Sequence, residues 1–231
     1  MPTDTFNITV GGQDGSGSLS GATYPGGVTS FSANDGNGTI YANRGYNGAG
    51  TYFVDNALMY FNTSTLPDDA TVTAAELEVN VIAFVNTNNL DVVGEYFAYD
   101  GSPTIASDIT LNESSTAIGG IAIASIGTGT EIFALQNLSS ISKTGNTGLR
   151  LKVTKRAGDA APTGFNYIGI AEFEHATLPQ AILRVTYTTT PTAGQTLVPD
   201  ADITTTGWTT SPLWSKLADS SDVTIVTATA S

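Results

Sequence analysis

Residues 56–84 read NALMYFNTSTLPDDATVTAAELEVNVIAF, and their pattern decides the fold. Ala57 to Phe61 is a short apolar run carrying Met59, Tyr60 and Phe61. Thr63 to Asp69 holds Ser64, Pro67 and the pair Asp68-Asp69, a dense turn signal. Leu77, Val79, Val81 and Ala83 then alternate with Glu76, Glu78 and Asn80. A period of two places alternate side chains on opposite faces of a strand, one buried and one wet. Apolar residues at three- and four-residue spacing, which a helix needs, are absent here. The stretch therefore predicts a strand, a tight connection and a second strand, forming the central hairpin of an all-β protein.

Working outward, the chain has 231 residues, enough for one large β domain, or for one domain and a piece of another. A domain of this size buries roughly 70% of its unfolded surface and needs no covalent staple. None is available, because there is no cysteine. Charged residues are 13% of the chain, and 8 Lys and Arg stand against 21 Asp and Glu, for a net charge of −13. That balance argues against nucleic acid, whose phosphates need a basic face, and against an anionic membrane surface. It fits an extracellular or particle-surface protein kept apart from its copies by charge. The N-terminal MPTDTFNITV has neither the basic segment nor the apolar segment of a signal peptide. No run approaches the roughly 18 apolar residues of a membrane-spanning helix.

Taken in order, Phe6 to Val10 suggest a first strand, and Gly11 to Gly27 a glycine- and serine-rich loop or irregular strands. Gly15 and Gly17 do not complete a nucleotide-binding pattern, since no GK[ST] and no helix follow. Val28 to Ser32 reads as a strand closed by Asn34-Asp35-Gly36-Asn37-Gly38. Asn34, Asp35 and Asn37 have the composition of half a calcium loop, but the downstream bidentate Glu is missing, and a β-turn is the competing reading. Thr39–Ala42 and Thr51–Val54 read as strands flanking an exposed loop, ANRGYNGAG. On it, Arg44 and Tyr46, together with Tyr24, are candidates for stacking on a sugar; a plain loop tip is the bland alternative.

Asp91 to Tyr99 predicts a strand interrupted by Gly94, and Gly148 to Thr154 one with Leu149, Leu151 and Val153 inward and Arg150 and Lys152 outward. Ala117–Ile126, Glu131–Leu138, Phe165–Phe173 and Ala181–Tyr187 complete the set, while Ser102 to Ser125 is hard to read. Short strands with frequent turn signals define a β-sandwich or jelly roll over 1–188. The segment TTTPT, Thr188 to Thr192, is a linker, so 189–231 is an arm or the beginning of a second β module.

Two parts of the body carry a resemblance. ALMYFNTSTLPDDATVTAAELEVNV resembles the strand–LP–strand signature of DNRLRE-type domains, a carbohydrate-binding-module-like β-sandwich group. GLRLKV with IAEFEHATLPQAILRVTY is similar to that group's end, although its usual Arg-Glu pair is not kept and Glu172 and Glu174 stand nearby. The likeness spans roughly residues 4–188. The C-terminal segment LVPDADITTTGWTTSPLWSKLADSSDVTIV is similar to the opening of repeats in tail and head-surface proteins of tailed bacteriophages, with Pro199, Asp200, Asp202, Gly207, Trp208, Leu213, Trp214, Asp219 and Asp222 fitting the pattern.

Catalytic readings are thin. A nucleophile–base pair wants His beside Ser or Cys, and the single His175 sits in a loop before Pro179. Glu172 and Glu174, like Glu76 and Glu78, share a strand face at about 6–7 Å by strand rise, which glycoside hydrolysis could use. A solvated face explains Glu76 and Glu78, whereas Glu172 shares the parity of Ile168 and Ile170 and fits such a face only across a bulge. Trp208, Trp214 and Leu213 are the candidates for an assembly interface. What the resemblances imply is a non-enzymatic structural protein of a phage virion, a capsid decoration, head fibre or tail component. Its partners would be other virion proteins such as the major capsid or tail proteins, its own copies, and host surface glycans. Cofactors are expected to be absent apart from the calcium candidate. The alternative is an extracellular carbohydrate-binding module of a polysaccharide-acting enzyme. A cluster of exposed aromatics on one sandwich face would mark sugar binding.

Overall fold

A computed structural model of the chain describes residues 1–25, 28–32, 38–97, 115–154, 160–189, 197–199 and 214–216. The chain divides into two compact units, Met1–Thr188 and Thr189–Ser231. The first is all-β, as the alternation predicts. Its strands are β1 (Thr3–Asn7), β2 (Asp14–Gly21), β3 (Val28–Ser32), β4 (Thr39–Tyr46), β5 (Tyr52–Asn62), β6 (Ala70–Asn86), β7 (Asp91–Phe97), β8 (Ser115–Ala122), β9 (Gly129–Ala134), β10 (Asn146–Val153), β11 (Asn166–Ala171) and β12 (Ile182–Thr189). They form one curled antiparallel sheet whose main path runs β1-β12-β6-β11-β4-β5-β10-β7-β8, with β2 pairing β3 and β5 and β9 pairing β6 off that path, compatible with a sandwich or jelly roll.

The segment 56–84 supplies β5 and β6, with the connection where the turn residues stand, but the two strands do not form a hairpin. β5 pairs with β2, β4 and β10, whereas β6 pairs with β11, β9 and β12. Ala57, Met59 and Phe61 of β5 and Leu77, Val79 and Val81 of β6 belong to a single core. The two apolar faces are therefore brought into one interior by a connection between layers instead of an edge-to-edge turn. Apolar burial, which grows with area removed from water, favours that arrangement.

The layers separate at β5. Its first residues pair with β4, in the register Asn43↔Asp55 to Tyr46↔Tyr52. Its later residues pair with β10, from Ala57↔Leu151 to Asn62↔Asn146. In β5 and β10 the odd-numbered Ala57, Met59, Leu149 and Leu151 face the core; in β4 and β11 the even-numbered Ile40, Ala42, Ile168 and Ile170 do. Asn43 and Asp55 are paired on one face, so the core lies on opposite sides of β4 and β10. The two strands splay from β5 and enclose the core between them. Arg44 sits where they part, donating from Nε to the Val153 carbonyl at the end of β10.

Two irregularities tune the frame. The β11–β6 register shifts between Gly169 and Ile170, a bulge that admits an extra β6 residue. In β7 the register against β8 shifts around Gly94, where the sequence shows the interruption; a Cβ there would lie 2.7 Å from Ile118 Cδ1. Arg150 corrects a simpler expectation. It points away from the core, as alternation requires, yet it is buried, its guanidinium 2.7 Å from Glu95 Oε2. Lys152 also pairs with Glu95. A buried carboxylate so placed needs charged partners. In the second unit, β13 (Leu197–Pro199) and β14 (Trp214–Lys216) pair antiparallel, with Pro199 opposite Trp214.

Candidate functional site

On the outer face of β4, β5 and β11 lies a groove of about 440 Å³, lined by Tyr41, Asn43, Phe53, Asp55, Phe165 and Tyr167. Strand alternation puts them there. Ile40 and Ala42 face inward, so Tyr41 and Asn43 face outward; Ile168 and Ile170 do the same for Tyr167. The registers Tyr167↔Asn43 and Asn43↔Asp55 then align the three strands across the floor.

Two glycines let the rings lie against the sheet. A Cβ on Gly169, which pairs with Tyr41, would stand 2.9 Å from Tyr41 Cε1, and one on Gly45 would stand 2.5 Å from Phe165 Cδ1. Tyr41 and Tyr167 meet edge to face at 5.7 Å, and Phe53 stacks on Phe165 at 6.2 Å. Tyr41 remains 40% exposed and Phe165 38%, a large apolar area to leave in water unless something covers it.

The floor of the groove, Asn43 and Asp55, is rich in acceptors. Asn43 donates from Nδ2 to Asp55 Oδ2 at 2.7 Å, which leaves Asn43 Oδ1 buried without a hydrogen-bond partner. Burial pushes the Asp55 carboxyl above the usual carboxylate range, offset in part by hydrogen bonds from Ser18 and Asn43. Pockets of this volume that combine aromatic walls with a few fixed polar groups are what small-molecule sites look like.

The glycan candidates taken from the sequence fall elsewhere. Arg44 is not on an exposed loop: β4 runs on through Tyr46, and the turn is confined to the residues after it. Its side chain is buried, bonding Val153 and, from a guanidinium nitrogen, the Tyr24 hydroxyl at 2.9 Å. A guanidinium so committed braces the parting of β4 and β10 instead of stacking on a ligand. Tyr24, Tyr46 and Tyr52 do gather, with Tyr46–Tyr52 ring centres at 4.7 Å and Tyr24–Tyr52 at 5.7 Å.

The acidic pairs separate in the same way. Glu76 is exposed, as alternation predicts, and Glu78 pairs with Arg184. Glu172 is only 1% exposed, which a solvated face does not explain. It lies just past β11 on the inward parity of Ile168 and Ile170, and its Oε1 accepts the Gly38 N–H at 2.9 Å. Asp14, also 1% exposed, accepts the Phe173 N–H at 2.9 Å. Its pKa is pushed up to about 7, first by burial and then by the charges of Glu172 and Glu174, with the Phe173 N–H opposing. These carboxylates tie the loop after β11 to the beginnings of β2 and β4. His175 organises the same loop, its Nδ1 accepting the Leu178 N–H at 2.9 Å.

Asn34, Asp35 and Asn37, and with them Trp208 and Leu213, lie outside the described residues; of Trp214 only the backbone, in β14, is described. Among the described residues no group of three or more His, Cys, Asp or Glu is arranged to hold a metal ion. Sequence reasoning missed the groove because its aromatics come from three strands far apart in the chain. The signal that would have found it is an outward aromatic beside an outward glycine, as in Tyr167-Ile168-Gly169. No protein-family model matches the chain, and a search of the curated proteins returns no relative.

Proposed function

We propose that residues 1–188 form a non-enzymatic, glycan-binding β-sandwich displayed on the surface of a tailed-bacteriophage particle. The observation that carries glycan binding is the groove of Tyr41, Tyr167, Phe53 and Phe165 with Asp55 and Asn43 at its floor. A sugar ring has a face of C–H bonds that packs on an aromatic ring, and a rim of hydroxyls that hydrogen-bond to fixed acceptors. Placement on a virion is supported by the resemblance of residues 197–222 to phage tail and head-surface repeats, and by the acidic composition. In that setting the sandwich meets the host surface while residues 189–231 contact neighbouring chains. An extracellular binding module outside a virion would use the same groove.

The test is calorimetric titration of the full chain with a panel of oligosaccharides, repeated with Tyr41→Ala and Tyr167→Ala. Binding that each substitution weakens by roughly tenfold or more supports the groove as the site. Binding indifferent to both moves the site elsewhere, and absence of binding across the panel rejects the reading.

A further inference from the structure

The ring-covered groove and its polar floor also carry information about which glycans fit. We propose that the groove takes an uncharged glycan, recognised through its hydroxyl or acetamido N–H donors, and rejects carboxylated or sulfated chains. The inference rests on the glycan-binding reading. It comes from the polarity of the floor. Asp55 is acceptor-rich, Asn43 gives one of its two amide N–H groups to Asp55, and Asn43 Oδ1 is an acceptor with no donor. None of the six lining residues is Lys, Arg or His. Arg44, next in sequence to Asn43, points to the opposite face and is held by Val153 and Tyr24.

A hydroxyl or amide N–H entering this site completes hydrogen bonds that the protein leaves open. A carboxylate or sulfate brings only acceptors. It would set a second negative charge beside Asp55 with no cation among the described residues that line the groove, in a chain of net charge −13. Leaving polar groups unpaired is the stronger basis for discrimination between similar ligands. The orphan oxygen of Asn43 and the Phe165 ring both lie against Gly45.

The experiment compares the full chain's affinity for neutral oligomers of glucose, galactose and N-acetylglucosamine with polyuronate and sulfated oligomers of equal length, at low and high salt. The expected result is at least roughly tenfold preference for one neutral series, with the acidic series gaining affinity as salt screens the repulsion. Asp55→Asn, checked for folding by circular dichroism, is expected to narrow that preference. Acidic oligomers that bind as tightly as neutral ones, or that lose affinity with salt, overturn this inference and leave glycan binding intact. Failure of both series overturns the glycan reading itself. Should Asp55→Asn fail to fold, the sign of the salt effect on the native chain decides the question.

Discussion

Asp14 shows how one residue ties charge to stability. Its pKa is raised to about 7 from 3.8, so the folded state holds a proton that the unfolded state releases. The contribution is fully present below pH ~4 and is lost as pH rises through 7. Chemical denaturation between pH 4 and 8 should therefore show stability falling with pH, by up to about 4 kcal/mol from this group. Asp14→Asn should flatten the slope. An unchanged slope in that variant would mean that another carboxyl is responsible. Gly45 makes a second residue-scale case. Gly45→Ala forces the Phe165 ring away from a Cβ that would otherwise stand 2.5 Å from it. Because the neighbour that must give way is a partly exposed side chain and not backbone, stability should shift by no more than about 1 kcal/mol. Oligosaccharide affinity should fall several-fold, and titration alongside thermal melting separates the two effects.

At the scale of elements, packing governs. Met59 is fully buried in the core, and Met59→Ala should cost about 2–5 kcal/mol in urea denaturation. Gly94 is less forgiving than Gly45, because the added Cβ would lie 2.9 Å from Ile118 Cβ, an atom fixed to its backbone. Gly94→Ala should cost about 1–3 kcal/mol by overpacking the β7–β8 pair. A neutral outcome would show that the bulge can reopen. Strand positions were legible because alternation is a local property: Leu77, Val79 and Val81, and Leu149, Leu151 and Val153, declare their inward face in sequence alone. Pairing was not legible. Nothing within 56–84 says that β5 joins β4 and β10 while β6 joins β11, since those partners lie in distant sequence. Arg150 misled for a related reason: charge reads as solvent-facing until its partner, Glu95, is known. Glu172 shares the inward parity of Ile168 and Ile170 in sequence, but its partner, the Gly38 amide, could not be read there.

At the scale of the molecule, the chain divides at Thr188. A chain ending near Thr192 should unfold cooperatively, with a melting temperature within a few degrees of the full chain's, and should keep its oligosaccharide affinity; differential scanning calorimetry checks the first and titration the second. Light scattering on both lengths asks whether 189–231 assembles copies. A larger oligomer for the full chain alone assigns assembly to that segment, and monomers at both lengths remove it from that role.

The first and last strands of the body pair with each other, Thr3 opposite Thr186 and Asn7 opposite Ile182, and the Tyr187 N–H reaches the Pro2 carbonyl. Both ends of the body therefore emerge side by side at one edge of the sheet. Tension applied between the two ends peels β1 from β12 one rung at a time, starting at Thr3 and Thr186 and drawing Phe6 out of the core against Leu183.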